Sequence, residues 1–291
     1  MLRVGTSGWS HPEWVGPFYP VGLRDQPASW LAYYATRFRS VEINGTFDAF
    51  PDGDLVASWA RAGLAASAPL PFEFSLKLPR ECTHDALPAG DVERAWEAAA
   101  RFERHVLEPL ADDGLLGAVV VQLPPGFGPD RAEAVGEMLR ALAGRSVALE
   151  PRDPRWLRDG RVAAEAQFLF ASGGGDVAFV EADAPVPGPR EVPRARHAYL
   201  RLHGRRADVW SERRTSDLDG VRYDYLYDRH ELAPLVERVR AHEAAEREVR
   251  VAFNNKPRAK AARNALEFLD MLGSAPDVPR PRLTEQQKLP V

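Results

Sequence analysis

Eight short runs rich in Val, Leu, Phe and Ala recur along the chain, separated by longer segments of helical composition, and this alternation restricts the fold more than any other feature. The runs fall at residues 2–5, 40–43, 72–78, 116–123, 147–150, 177–181, 198–203 and 249–253. Between them, residues 30–37, 54–66, 92–106, 131–142, 231–246 and 260–272 are rich in Ala, Leu, Glu and Arg, which lose little side-chain freedom in a helix. Strands that alternate with helices run parallel, because a helix is the usual return from the end of one strand to the start of the next. Eight such strands in 291 residues favour a closed barrel over an open doubly wound sheet, which has fewer strands and a glycine-rich phosphate turn after the first. Here the first turn reads Thr6-Ser7-Gly8-Trp9, without the G-x-G-x-x-G pattern. The expected fold is α/β: one (β/α)8 barrel domain over residues 1–274, then an irregular, proline-rich tail over 275–291. A glycine- and proline-dense stretch at 173–196 is expected to include a long surface loop after the sixth strand.

Composition narrows the function classes. A hydrophobic share of 45% is ample for a core, and a formal charge of −4 with both signs plentiful gives no bulk reason to bind nucleic acid or an anionic membrane. No apolar run approaches the ~20 residues of a membrane span. The amino terminus passes directly into the first strand without the apolar core of a signal peptide, so a cytoplasmic protein is expected. Cys82 is the only cysteine, which excludes an internal disulfide and any zinc site built on paired cysteines. The usual fate of such a lone thiol is burial as a small apolar group. The sequon Asn44-Gly45-Thr46 reads better as strand-end chemistry than as a glycan acceptor.

Side chains alternate across a strand, and in a barrel one parity fills the interior while the other packs on helices. In the third run Phe72, Phe74, Leu76 and Leu78 share one parity and Glu73, Ser75 and Lys77 the other, so the polar set points inward. The seventh run splits the same way, with Ala198, Leu200 and Leu202 opposite Tyr199, Arg201 and His203. In the second, Val41 and Ile43 oppose Glu42 and Asn44. Val147 and Leu149 oppose Glu150, with Arg152 two further on, and Val119, Val121 and Leu123 oppose Gln122; the eighth run ends in Asn254 and Asn255.

Glu42, Lys77, Glu150, Arg152, Arg201 and His203 thus gather near carboxyl ends of strands, the face that carries the active site in essentially every barrel of this class. Burying charge there costs several kcal/mol per group unless it is paired. A bland reading makes the group a satisfied ion-pair lattice that includes a Lys77–Glu150 contact. Against it, Lys77, Arg152 and Arg201 are three cations facing two carboxylates, Glu42 and Glu150, and the surplus positive charge invites an anion.

Val4-Gly5-Thr6-Ser7-Gly8-Trp9 with Trp14 and Phe18-Tyr19-Pro20, followed by Val41-Glu42-Ile43-Asn44 and Thr46-Phe47, resembles the opening of the YecE-like proteins, the domain of unknown function 72 family. The resemblance continues through Phe74-Ser75-Leu76-Lys77 with Thr83-His84, Gln122-Leu123-Pro124-Pro125, Glu150-Pro151-Arg152 with Trp156, Tyr199-Leu200-Arg201-Leu202-His203-Gly204, Tyr223-Asp224-Tyr225, and Phe253-Asn254-Asn255 with Asn264-Ala265. It covers nearly the whole chain and implies a triosephosphate-isomerase-type barrel with no assigned reaction. His11, Asp48 and Lys256-Pro257 depart from the pattern at the rim.

Three functions fit these residues. The first is an enzyme, such as a hydrolase, acting on a phosphorylated sugar or a nucleic-acid phosphodiester. Catalytic work would fall to Glu42, Lys77, Glu150 and His203, with a raised-pKa carboxylate as base and His203 as acid. Ser7, Trp9, Asn44, His84, Gln122, Arg152, Arg201, Asn254 and Asn255 would bind the substrate. The second makes Lys77 the Schiff-base nucleophile of a lyase. The third is a binding module for nucleic acid or a metabolite, with Trp9, Trp14, Phe18, Tyr19, Phe47 and Trp156 stacking on bases or instead packing the lid; for nucleic acid it needs a basic groove through Arg205, Arg206, Arg213 and Arg214. No cofactor and no metal site are expected. His84 and His203 with Glu42 and Glu150 are too few donors for a multi-metal cluster, and leave at most one weakly held divalent ion. The partner expected is a small anionic ligand or a nucleic-acid phosphate, with no membrane.

Overall fold

Runs of alternating apolar and polar residues are stable as strands only when one face is covered, and the chain covers them by closing a sheet within a coat of helices. A computed structural model describes residues 1–67, 71–171, 176–185, 188–210 and 220–274. Its main sheet has nine parallel strands: β1 (Leu2–Ser7), β2 (Ser40–Ile43), β3 (Glu73–Lys77), β4 (Leu116–Gln122), β5 (Ser146–Glu150), β8 (Asp176–Phe179), β9 (Glu181–Asp183), β10 (His197–Leu202) and β11 (Glu248–Phe253). Their order is β8-β5-β4-β3-β2-β1-β11-β10-β9. The two ends of this order are consecutive in the chain, separated only by Val180. β8 pairs with β5, and β9 pairs with β10. The sheet is therefore barrel-like and nearly closed. At its seam the buried ring of His197 places Nε2 3.2 Å from the carbonyls of Val147 and Asp176.

All eight expected strands are present, but the regular eightfold repeat of strand and helix is not. The sixth strand is divided at Val180, because its first half is held by β5 and its second by β10. Between β5 and β8 the chain forms 3₁₀ turns at Pro154–Trp156 and Ala164–Phe170 and an antiparallel hairpin of β6 (Leu157–Arg158) and β7 (Arg161–Val162). The hairpin turn uses positive φ at both Asp159 and Gly160, as a two-residue turn between twisted strands requires. No helix joins β9 to β10 among the described residues. The tail expected at 275–291 lies outside the described residues.

The helices begin where side chains satisfy their free N–H groups. Asp52 accepts from Leu55 N–H ahead of Gly53–Ala66, and Asp91 from Arg94 N–H ahead of Val92–Phe102. Asp228 and Glu231 form a reciprocal capping box, so the following helix, Arg229–Ala244, starts two residues earlier than apolar spacing implies. No described helix is long and apolar enough to cross a membrane.

Strand parity follows the sequence. The outward set, including Val41, Phe74, Leu76, Val119, Val121, Leu149, Leu200 and Val251, joins the large core beneath the helices. Inside, a small apolar plug of Ala118, Val120, Ala148, Val180, Tyr199 and Ala252 fills the middle. Below it Glu73 takes Arg250 Nε at 2.8 Å and Arg3 Nε at 3.7 Å, a structural lattice at the amino end. Above it lies the polar mouth. Gly5 admits this closure: a Cβ there would stand 2.0 Å from the Ser40 carbonyl.

Candidate functional site

At the carboxyl ends of the strands a buried guanidinium holds two carboxylates. Arg201, on β10 and 1% exposed, donates through Nη2 to Glu42 Oε1 at 2.6 Å and through Nη1 to Glu150 Oε2. Glu42 also takes the Ser7 hydroxyl on Oε1 at 2.6 Å and the Tyr199 hydroxyl on Oε2 at 3.0 Å. Glu150 takes Arg152 Nη2 at 2.8 Å and His203 Nε2 at 2.9 Å on Oε1. Asn254 Nδ2 lies 3.0 Å from His203 Nδ1, while His203 Nε2 lies between Glu150 Oε1 at 2.9 Å and Arg152 Nη2 at 3.0 Å.

This pairing sets the protonation states. Burial alone would raise both carboxyls, but the charge of Arg201 and the hydrogen bonds from Arg201, Ser7 and Tyr199 outweigh it at Glu42 and hold it below the usual range. Arg152, Arg201 and His203 hold Glu150 lower still. Both are therefore anions with their lone pairs engaged, the reverse of the raised carboxylate that a general base requires. Burial, reinforced by the Arg152 charge, takes His203 down to about 4 despite Glu150, so the ring is neutral and poor as an acid near pH 7.

Two carboxylates and two guanidinium groups cancel, and Lys77 is left over. Its side chain ends on the barrel interior at the top of β3, 7% exposed, with Nζ 3.5 Å above the Phe47 ring. Among the described residues, no hydrogen bond or ion pair reaches the Lys77 amine; the Lys77–Glu150 contact of the lattice reading is absent, and Glu150 meets Arg201 instead. Burial and the charges of Arg201 and Arg152 take Lys77 down to about 7, against the opposing pull of Glu150 and Glu42. Thr46 positions it, donating Oγ1 to the Lys77 carbonyl at 2.6 Å, so the sequon threonine does serve the strand end.

Lys77 opens with Arg201, Asn44, Gln122 and Asn254 onto a pocket of about 330 Å³. Its rim carries His11, Glu13, Asp48, Tyr223 and Lys256. His11 is taken down to about 4 by burial and by Lys256, and packs at a tilt against Trp14 with ring centres 4.7 Å apart. Of the sequence candidates, Ser7, Glu42, Asn44, Lys77, Gln122, Glu150, Arg152, Arg201, His203 and Asn254 meet here. Trp9 instead packs on Phe74, on the outer side of β3. His84 stands behind Phe47, ring centres 4.8 Å apart, with Nδ1 2.9 Å from the Thr83 hydroxyl. Asn255 turns away to the Tyr225 carbonyl and Asn264.

Sequence reasoning passed over Phe47 as the partner of Lys77, and over Trp210 and Tyr223, whose rings lie 6.0 and 5.9 Å from His203. The Tyr223-Asp224-Tyr225 segment was the available signal for one of them. Trp14, Phe18 and Tyr19 form a buried aromatic cluster, and Trp156 donates Nε1–H to the Phe127 carbonyl at 2.7 Å, so these rings pack the fold rather than await bases. Cys82 is fully buried, its thiol pushed up to about 12. Among the described residues no three His, Cys, Asp or Glu side chains gather as a metal-binding group.

Comparison with known proteins points one way. The family model described as "Protein of unknown function DUF72" matches residues 3–288. The chain is 29% identical over 161 residues to the UPF0759 protein YecE of Escherichia coli (strain K12), covering 55% of this chain and 52% of YecE; it thus spans about half the length of that relative. It is 24% identical over 292 residues to the UPF0759 protein YunF of Bacillus subtilis, covering 94% of this chain and 95% of YunF. A DUF72 family protein from Thermotoga maritima superposes with a TM-score of 0.78 at 32% identity, covering 94% of this chain and 99% of the other. One from Enterococcus faecalis gives 0.73 at 23%, covering 98% and 100%, a likeness of fold alone.

Proposed function

The chain belongs to the DUF72 family, whose description states no function, and from that premise we propose that its polar mouth is the active site of an enzyme acting on a small anionic molecule. The observation that carries this reading is a buried amine that no hydrogen bond or ion pair among the described residues holds, on the floor of a pocket where the neighbouring Glu42, Glu150, Arg152 and Arg201 are matched to one another. A stability-driven lattice would pair or delete such a group, since an unpaired buried cation costs several kcal/mol. Asn44, Gln122 and Asn254 add amide donors and acceptors suited to hydroxyl or carboxylate oxygens. In this reading Glu42 and Glu150 position Arg201 and His203 rather than carry protons.

The rim favours a small ligand over a nucleic acid. Arg205 is taken by Asp183 at 2.9 and 2.8 Å and Arg206 by Asp208 at 2.9 and 2.7 Å, while Glu13 and Asp48 interrupt any basic track. Arg213 and Arg214 lie outside the described residues. On this proposal β8 and β9 count as one strand interrupted at Val180, so that the sheet is an eight-stranded barrel of the (β/α)8 type with irregular connections after β5 and β9, its site lies on the usual face, and the protein is cytoplasmic.

Thermal denaturation against inorganic phosphate, sugar phosphates, small carboxylates, single-stranded DNA and an abasic-site duplex tests it. A small anion at about a hundred times its dissociation constant adds ~2.7 kcal/mol to stability, enough to raise Tm by about 5 °C. Asn44→Asp, which sets a negative charge on the floor at nearly unchanged volume, abolishes that rise. A rise produced by the DNAs and by none of the small anions supports the binding-module reading instead.

A further inference from the structure

The chain carries 38 Lys and Arg residues, and only four of them, Lys77, Lys256, Lys260 and Lys288, are lysine. Arginine stays charged in any protein environment, whereas lysine can lose its proton when buried. The interior of the mouth therefore combines two arginines committed to carboxylates with one cation of the other kind, which no carboxylate among the described residues holds. The carboxylates are engaged elsewhere: both oxygens of Glu42 and both of Glu150 already accept from Arg201, Arg152, Ser7, Tyr199 or His203.

We infer that the Lys77 amine, packed over Phe47 and open to the pocket beside Arg201 and Gln122, is a nucleophile that condenses with the carbonyl group of a small hydroxylated aldehyde or ketone bearing an anionic group. This rests on the small-anion reading of the mouth and names its substrate class. The free amine attacks the carbonyl carbon to form a carbinolamine. The carbonyl oxygen then leaves with the two amine protons as water, giving a C=N bond; a proton from solvent converts the imine to an iminium, which weakens bonds at the neighbouring carbon. Nothing is oxidised or reduced, and water reverses the step.

The surroundings fit that chemistry. Burial is the largest influence on Lys77; Arg201 and Arg152 also favour the neutral amine, Glu150 and Glu42 oppose it, and the balance lies near 7, with Glu13, Asp48 and Lys256 further out on the pocket lining. The amine is thus available at neutral pH, where an exposed lysine is almost wholly protonated. Lys260 differs, being held by Asp224 at 2.8 Å.

The four lysines make the test direct. The whole chain is treated briefly with formaldehyde and cyanoborohydride at about pH 7 and, in a second arm, with D-glyceraldehyde 3-phosphate and cyanoborohydride; adducts are mapped by peptide mass spectrometry. A third arm measures the Tm rise with glycerol 3-phosphate, an anion without a carbonyl. The expected result is an adduct at Lys77 at least tenfold ahead of Lys256, Lys260 and Lys288 in both arms, with a rate that rises through pH 7. Labelling of Lys77 no faster than the other three overturns the inference. If that happens while glycerol 3-phosphate still raises Tm, the amine is an anion anchor and the mouth remains a small-anion site; if Tm is also unmoved, both readings fail for this chemistry.

Discussion

Replacing Arg201 by Met keeps most of the volume of its stem and removes the one group that Glu42 and Glu150 share. Glu42 keeps the hydroxyls of Ser7 and Tyr199, and Glu150 keeps Arg152 and His203. What disappears is one charge-assisted contact per carboxylate, each worth about 1.5–3 kcal/mol, with Glu42 left buried without a hydrogen-bonded cation. The expected loss is therefore about 3–5 kcal/mol, in the range for breaking a buried ion pair from one side. The pH dependence should also reverse. In the native chain both carboxyls lie below their ordinary value of 4.5, so the stability they contribute is complete above that value and is lost as pH falls toward their folded values. In Arg201→Met, Glu42 retains its burial without Arg201, so its carboxyl rises above the ordinary range. Stability is then greatest in mild acid and falls as pH rises through the new value. Urea denaturation of both proteins at about pH 5 and about pH 8 reads this directly, the variant being the more stable at the lower pH. A loss below about 1 kcal/mol with no reversal refutes a charged Glu42–Arg201–Glu150 clamp.

Lys77→Met should stabilise the protein. A lysine taken from 10.5 to about 7 costs up to roughly 4 kcal/mol near neutrality at ~1.4 kcal/mol per pH unit; removing it raises Tm and abolishes the gain in stability that the native chain shows as pH rises from about 7 to about 10. Thr46→Val removes the 2.6 Å bond to the Lys77 carbonyl and should cost about 1–3 kcal/mol by chemical denaturation, with weaker anion binding because the end of β3 is released. Gly5→Ala sets a Cβ 2.0 Å from the Ser40 carbonyl between β1 and β2; separating these strands should cost more than about 3 kcal/mol, read as loss of the cooperative thermal transition.

Much of the fold could be read from the sequence because strand parity is a local property. Glu73, Ser75 and Lys77 against Phe74 and Leu76 already name the two sides of β3, and the structure places them so. The break at Val180 and the hairpin after β5 were not legible, since they depend on which neighbour each half-strand finds across the barrel. At the mouth, the membership of Glu42, Glu150, Arg152, Arg201 and His203 follows from their strand ends. Their partners do not: whether Glu150 meets Lys77 or Arg201 depends on barrel diameter and side-chain reach, and that choice leaves the Lys77 amine solitary among the described residues. Trp9 and Asn255 share strand-end positions with true pocket residues yet turn away, because a loop residue carries no parity to orient it.

With only four lysines in the chain, the solitary amine can be observed individually. Lysine labelled with ¹⁵N at Nζ and ¹³C at Cε, followed by NMR from about pH 5 to about pH 11, gives each titration midpoint separately. One lysine, lost in Lys77→Met, should show a midpoint near 7 and a resonance displaced when the small anion that raises Tm is added. Four midpoints all near the ordinary value of about 10.4 would mean that Lys77 is solvated or ion-paired, and would contradict the reading of this mouth as a reactive site.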